Sequence, residues 1–246
     1  MRINSPKMNI IHKACMKASR SLIRDFGELE KLQVSSKGPS DFVTNSDKKV
    51  EKIIIEELTK TRKNFSIIGE EIGELKNSDK ENYWIIDPID GTTNFLHGIP
   101  HFAISIALRN NQEIVSGLIF DPIKNEMFFA EKNNGAFFNN QRIRVSNKKK
   151  IEECLFATGG KKEINSTLNN RRSGSAALDM AYVGAGRYDG YFQKALNIWD
   201  IAAGIIIVKE AGGKINDINC SAIKDHQVFA ASNAVYEKMI ENLNNF

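Results

Sequence analysis

Asp87 and Asp90 are spaced i, i+3 at the end of an apolar run, Trp84-Ile85-Ile86, and just before Gly91-Thr92-Thr93-Asn94. Trp84 to Ile86 read as a buried strand, because bulky and β-branched side chains fit a pleated surface. Pro88 has no N–H for a ladder, so the strand is predicted to stop at Asp87 and the chain to turn there. Two like charges so close repel unless a cation lies between them. Carboxylate oxygens suit hard cations, and magnesium in particular combines carboxylates with water and substrate phosphate. Gly91, Thr92 and Thr93 would offer free backbone N–H groups at a helix start, where anions bind. A metal site beside a phosphate site is the layout that metal-assisted phosphate hydrolysis needs. Asp-Pro and Asp-Gly are also ordinary turn dipeptides, and Asp121-Pro122 reads as such a turn. What weighs for chemistry is that further acids stand at the ends of other predicted elements.

Phe65-Ser66-Ile67-Ile68-Gly69 is a short apolar strand followed by Glu70-Glu71. Far downstream, Asp200 follows Trp199 at the start of a very apolar helix that runs on through Ile205-Ile206-Ile207-Val208. It is either an N-cap or a ligand. Asp41-Phe42-Val43-Thr44-Asn45-Ser46-Asp47 is a polar stretch opening a helix, which Asp41 or Ser46 could cap.

The elements that must position these acids follow from periodicity. Two N-terminal helices are predicted near Met8 to Lys31 and Ser46 to Thr61, the first with Ile10, Ile11, Ala14, Ala18 and Leu22 towards the core. Strands follow at Phe65 to Gly69 and Trp84 to Asp87. A meander comes next, at Ala103 to Arg109, Glu113 to Phe120, Glu126 to Ala130 and Arg142 to Val145, with turns at Asn110-Asn111 and Asn139-Asn140. After Lys150 the pattern changes. Strands near Cys154 to Thr158, Tyr191 to Phe192, Lys214 to Asp217 and Val228 to Ala231 alternate with helices near Ala176 to Gly186, Ile201 to Ala211 and Asn233 to Leu243. The fold class is therefore α/β, with an α+β first half (1–150) and an α/β second half (151–246).

At 246 residues, 41% hydrophobic and 26% charged, the composition is that of an ordinary globular protein. Cys15, Cys154 and Cys220 have no CxxC spacing, which argues against a disulfide framework and for a reducing, cytoplasmic setting. No apolar run approaches membrane-spanning length, and Arg2, Lys7, Lys13, Lys17 and Arg20 break any signal-peptide core. The net charge of +4 is too small to argue for nucleic acid by itself. Basic residues do thicken at Arg142, Arg144, Lys148 to Lys150, Lys161, Lys162, Arg171 and Arg172, where a phosphorylated substrate or an RNA would be welcome. Solvated loops explain them equally well, and no interleaved aromatics favour single strands. Gly184-Ala185-Gly186-Arg187-Tyr188-Asp189-Gly190 is one residue too long for a dinucleotide fingerprint. There is no Walker A loop. His97 and His101 are separated by Pro100, so they share no continuous helix face for zinc. There is no GxSxG elbow, and Ser173 and Ser175 have no obvious His partner.

Gly69-Glu70-Glu71, the segment Trp84 to Asn94 and Trp199-Asp200-Ile201-Ala202-Ala203-Gly204 resemble the signatures of the inositol monophosphatase family. Lys37 to Asn45 and Arg171-Arg172-Ser173-Gly174-Ser175-Ala176-Ala177-Leu178-Asp179 are most similar to its bacterial extragenic-suppressor branch. The resemblance covers nearly the whole chain. It implies a layered α-β-α-β-α sandwich and a magnesium-dependent, lithium-sensitive phosphatase of inositol monophosphate or a related small phosphate. Alternatives are a sugar bisphosphate or adenosine bisphosphate, or a role in ribosomal RNA transcription through RNA polymerase.

By the same resemblance, Glu70, Asp87 and the carbonyl of Ile89 hold one magnesium, Asp87, Asp90 and Asp200 a second, and a third leans on Glu70. Thr92 and Asp47 orient and deprotonate the attacking water. Gly91 and Thr92 hold phosphate oxygens, while Gly174, Ser175, Ala176 and Gln193 meet the polyol. Glu71 and Asp41 remain open between structural and functional roles.

Two features depart from the family pattern. Members often carry Glu at the position of Gln193, where it hydrogen-bonds a substrate hydroxyl; the amide keeps hydrogen-bonding capacity but loses the charge. The segment Thr158 to Asn170 is shorter than usual. A homodimer is expected, paired through Phe95 to Phe102, a stretch that could equally be core.

Overall fold

The computed structural model describes residues 5–32, 39–159 and 168–243, with side chains except those of 30–32 and 39–44. Helix α1 (Pro6–Leu32) buries Ile11, Ala14, Cys15, Ala18, Leu22 and Leu29, a stripe at spacings of three, four and seven that faces one side of the helix. Helix α2 (Pro39–Thr59) buries Val50, Ile54 and Leu58 at intervals of four. It starts seven residues before the predicted boundary at Ser46, because Pro39 is tolerated in a first turn. Ser46 is thus inside the helix and does not cap it, and residue 41 also lies within its span. The Ser46 hydroxyl instead donates to buried Asp25 of α1 at 3.3 Å, which also takes Lys49 at 3.1 Å.

Eight strands form the first sheet, in the order β2-β1-β3-β4-β5-β6-β7-β8. They are β1 (Phe65–Gly69), β2 (Gly73–Leu75), β3 (Asp79–Asp90), β4 (Ala103–Asn110), β5 (Glu113–Asp121), β6 (Glu126–Glu131), β7 (Gly135–Phe138) and β8 (Gln141–Arg142). Only β1 and β3 run parallel within it. A five-residue helix, α3 (Thr92–Leu96), follows β3. The second sheet has the order β10-β9-β11-β13-β12, from β9 (Phe156–Thr158), β10 (Asn170–Arg171), β11 (Gly190–Leu196), β12 (Gly213–Ile215) and β13 (His226–Ser232). Helices α4 (Ala176–Gly184) and α5 (Ile198–Glu210) interleave with these strands, and α6 (Tyr236–Asn242) follows β13.

Strand β3 outruns its predicted end. The strand does not stop at Asp87. It pairs Asp87 with Ser105 and Asp90 with Ala103 on β4, so one extra residue bulges out between them. A bulge is the place in a sheet where a proline without an N–H does no harm, and Pro88 sits in it. The meander also contains β7, which the sequence reading passed over, and the predicted strand from Arg142 to Val145 is reduced to β8. Ile143 and Val145 continue as extended chain against the core.

The layers are α1 and α2, the first sheet, α4 and α5, the second sheet, and α6. A helix apolar all round must be covered on every side. Helix α5 is such a helix, with Ile201 to Val208 all buried, and it lies between the two sheets. One core joins Ile68, Tyr83 and Ala107 of the first sheet to α4, α5, and Tyr191 and Val228 of the second. A second core lies between α1, α2 and the first sheet, and a third beneath α6.

Candidate metal and substrate site

The bulge at 88–89 aims two carboxylates at the N-terminus of α5. Asp87, Asp90 and Asp200 bring one oxygen each to within 4.8 Å of one another. Each acid is also held by hydrogen bonds from the chain. Asp87 Oδ1 accepts from the N–H of Ile89 at 3.0 Å. Asp90 Oδ2 accepts from the Ser175 hydroxyl and from the N–H of Ala177 at 3.0 Å. Asp200 Oδ2 accepts from the N–H of Asn197 at 2.7 Å, as the third residue of a capping box. The cap-or-ligand alternative for Asp200 was therefore too narrow: one oxygen caps and the group still joins the cluster. Helix α5 begins at Ile198, three residues before the predicted start, because Asn197 is its N-cap.

Glu70 follows β1, adjacent to β3, and hydrogen-bonds Asp87. Asp47 on α2 is buried, and its Oδ1 has no hydrogen-bond partner among the described residues. Thr92 donates to the carbonyl of Ile89 at 3.0 Å. Glu51, overlooked in the sequence, accepts from the N–H of Glu71 at 3.1 Å and steadies the turn that carries both glutamates.

So many acids in one place should resist ionisation, and they do. Burial, then the charges of Glu70, Glu71 and Glu51, push Asp47 up to about 8. Burial, then Asp200, push Glu70 up to about 7. Burial raises Asp87 well above the carboxylate range, with Glu70 and Asp90 adding to it. Asp90 rises to about 7 and Asp200 to about 6, both chiefly through burial. An all-oxygen donor set with this unbalanced charge fits a hard cation.

A cavity of about 250 Å³ adjoins the cluster. Asp90, Asp200, Gly174, Ser175, Ala176 and Gln193 face it, together with Thr158, Gly159, Asp179 and Leu196, which sequence reasoning missed. Asn94 locks its rim: the amide donates to the carbonyls of His101 at 2.7 Å and Ser173 at 2.9 Å. Gly91, at φ 98°, is the N-cap of α3. A side chain there would meet the carbonyl of Gly174 at 3.3 Å. Gly174 in turn adopts φ 87° against the Asn94 amide. Two glycines thus let the loop after β3 and the loop before α4 touch.

His97 and His101 share no helix, and His101 Nδ1 faces Lys124 Nζ at 3.1 Å. Phe95 and Phe102 are fully buried, packed with Phe26 of α1. Core is the correct reading for both, and only Ile99 of that stretch is a large exposed apolar residue. All three cysteines are buried and free. Asp121 makes its expected turn, accepting from the N–H groups of Ile123 and Lys124. Asp41's side chain and most of the shortened segment, 160–167, lie outside the described residues.

A five-layer α-β-α-β-α fold with an oxygen cluster beside a polar cavity defines a class of phosphate-handling proteins that work through metal ions. A model of the inositol monophosphatase family matches residues 4–245, and this chain belongs to that family. It is 46% identical to the inositol-1-monophosphatase of Rhizobium meliloti, over 87% of this chain and 86% of that protein. It is 40% identical to the Nus factor SuhB of Escherichia coli, over 86% and 85% of the two chains. The crystal structure of the extragenic suppressor protein suhB of Bartonella henselae superposes with a TM-score of 0.87 at 44% identity, covering 98% of this chain and 99% of that one.

Proposed function

We propose that this chain is a magnesium-dependent phosphomonoesterase that hydrolyses inositol monophosphate or a related small phosphate. The observation that carries the reading is the cluster of Asp87, Asp90 and Asp200, two of whose members, Asp90 and Asp200, line the cavity. Glu70, Asp87 and the Ile89 carbonyl would hold one ion, Asp87, Asp90 and Asp200 a second, and Glu70 a looser third. Bound there, such ions lower the pKa of a water and stabilise a leaving alkoxide.

The chain supplies the rest. Thr92 donates its hydroxyl proton to Ile89, so its oxygen can accept from the attacking water and turn it. Asp47, with an oxygen unpaired among the described residues, would take the water's proton. The N–H groups of Gly91 and Thr92 hold phosphate oxygens. Gly174, Ser175, Ala176 and Gln193 bind the polyol or sugar part. The division near residue 150 then has a purpose: the first half brings most of the ligands, and the second brings Asp200 and the substrate contacts.

Lithium inhibition, a homodimer and a cytoplasmic setting belong to this reading. Hydrolysis of a sugar bisphosphate or adenosine bisphosphate is the nearer alternative. Similarity to a Nus factor supports a second role, in RNA polymerase or RNA association. Phosphate release from a panel of small monoesters, with and without magnesium and lithium, tests the reading. Magnesium-dependent release that lithium suppresses is expected. No release from any ester at saturating magnesium would overturn it.

A further inference from the structure

Gln193 and Tyr191 are two residues apart on β11 and so project from the same face of the strand. The Tyr191 hydroxyl donates to Gln193 Oε1 at 2.6 Å. Tyr191 is fully buried, and its hydroxyl has no other hydrogen-bond partner among the described residues. Were the amide reversed, its N–H would donate to the phenol oxygen, and the buried phenol proton would be left without an acceptor. An unmet buried donor is costly, so the pairing sets which end of the amide turns away.

Gly159 gives the carboxamide its space. A Cβ at that position would lie 2.0 Å from Gln193 Oε1, so the missing side chain leaves room for the carboxamide in this pose. Gln193 Nε2 then makes no hydrogen bond among the described residues. Gln193 is half-buried and lines the cavity beside Gly174 and Asp200. The cavity therefore receives an N–H donor from this residue, while the amide oxygen is turned towards Tyr191.

We infer that Gln193, oriented by Tyr191, selects phosphomonoesters whose group opposite the amide is an acceptor without a proton, such as a carboxylate or a second phosphate, over esters that offer only hydroxyls there. The inference rests on the phosphatase reading above. A hydroxyl can accept from Nε2, but its own proton must then find another acceptor. A carboxylate accepts with no such debt, and the bond is charge-assisted.

Two esters with one skeleton isolate the effect. Glycerol 2-phosphate carries hydroxymethyl groups on both sides, and 2-phosphoglycerate replaces one of them with a carboxylate. The ratio of kcat/KM for 2-phosphoglycerate over glycerol 2-phosphate is measured with magnesium for the wild type, Gln193→Glu and Tyr191→Phe. In Gln193→Glu one oxygen still accepts from Tyr191, and the other turns an acceptor to the cavity. The ratio should fall about tenfold or more, the scale of a charge-assisted hydrogen bond reversed to repulsion. Tyr191→Phe frees the amide to turn, and the ratio should fall by a smaller factor.

A ratio unmoved in both variants would overturn the inference while leaving the phosphatase reading intact. Calorimetric binding of the two esters with calcium in place of magnesium reads the preference without turnover. If the wild type hydrolyses neither ester, the phosphatase reading is left to the wider panel and the binding measurement alone decides the selection. A wild-type binding preference for 2-phosphoglycerate that Gln193→Glu abolishes would still uphold the selection, and equal affinities would overturn it.

Discussion

Ser175, at the N-cap of α4, donates its hydroxyl to Asp90 across 85 residues of sequence. The bond joins the bulge of the first sheet to a helix of the second half. The same hydroxyl accepts from the N–H of Leu178 at 3.3 Å and so begins α4. One side chain therefore both starts a helix and fixes the rotamer of a carboxylate in the acidic cluster.

Asp90 should be the least replaceable acid of the cluster. Asp90→Asn keeps the shape and removes one ligand charge. Loss of one electrostatic element of this kind lowers kcat on the order of a hundredfold or more. Steady-state phosphate release at saturating magnesium checks this, and wild-type turnover would refute the assignment.

The metal-free protein should lose stability as pH rises. Asp47 titrates near 8, Glu70 and Asp90 near 7, and Asp200 near 6 in the folded chain, against roughly 4 for an unfolded carboxylate. Between about pH 4 and 8 the folded state thus binds more protons than the unfolded state. Stability then falls with rising pH through that window. Scanning calorimetry in a chelator should show Tm dropping from pH 5 to pH 8. Added magnesium should recover most of the loss at pH 8, where the carboxylates are ionised and can bind it. A Tm that rises with pH in the chelator would contradict this account.

Gly159→Ala should spare the fold and damage the site. The new Cβ would meet the far end of Gln193, a flexible side chain that can swing away. A Tm within about 2 °C of wild type is expected, since surface-proximal changes of this size cost little. KM should rise severalfold because the displaced amide enters the cavity. An unchanged KM would show that Gln193 does not meet the substrate.

The stretch after α3 divides into residues that test folding and one that tests assembly. Phe95 is fully buried, with its ring 5.1 Å from Phe102 in an edge-on contact. Phe95→Ala should cost about 3–5 kcal/mol by opening a cavity, whatever the oligomeric state. Ile99→Glu should leave the monomer's Tm near wild type and split a dimer paired through this loop. Light scattering at micromolar concentration distinguishes a split from an unchanged dimer, and the latter would move the interface elsewhere.

Much of this site was legible because acids stand out at the ends of apolar runs. Asp87, Asp90, Glu70 and Asp200 each follow or interrupt such a run, and a buried carboxylate needs a reason. The continuation of β3 through Pro88 was not legible, because a bulge depends on the partner strand's register and not on local propensity. The early start of α2 at Pro39 was missed because polar residues at a helix N-terminus look like a loop. Asp179 and Gly159 were missed because Asp179 lies far from the other site acids in sequence and Gly159 carries no side chain to signal a role. Only the packing of α4 and β9 against β11 brings them to the cavity. The burial of Phe95 and Phe102 was undecidable locally, since an apolar loop has the same composition whether it packs on α1 or on a second chain.

The carboxylate cluster draws on both halves of the chain, so it assembles late in biosynthesis. Glu70, Asp87 and Asp90 leave the ribosome roughly a hundred residues before Asp200. At about 5–20 residues per second that interval is on the order of 5–20 s. During it the first sheet has no α5 to cover its inner face, and its acids have neither Asp200 nor the Ser175 hydroxyl. A nascent chain stalled in this window would expose Ala107, Ile114 and Ile119, which α5 and its neighbours later cover. The interval before Asp200 emerges is thus when the growing polypeptide most needs a chaperone, and hydrolytic activity reports that synthesis has passed it.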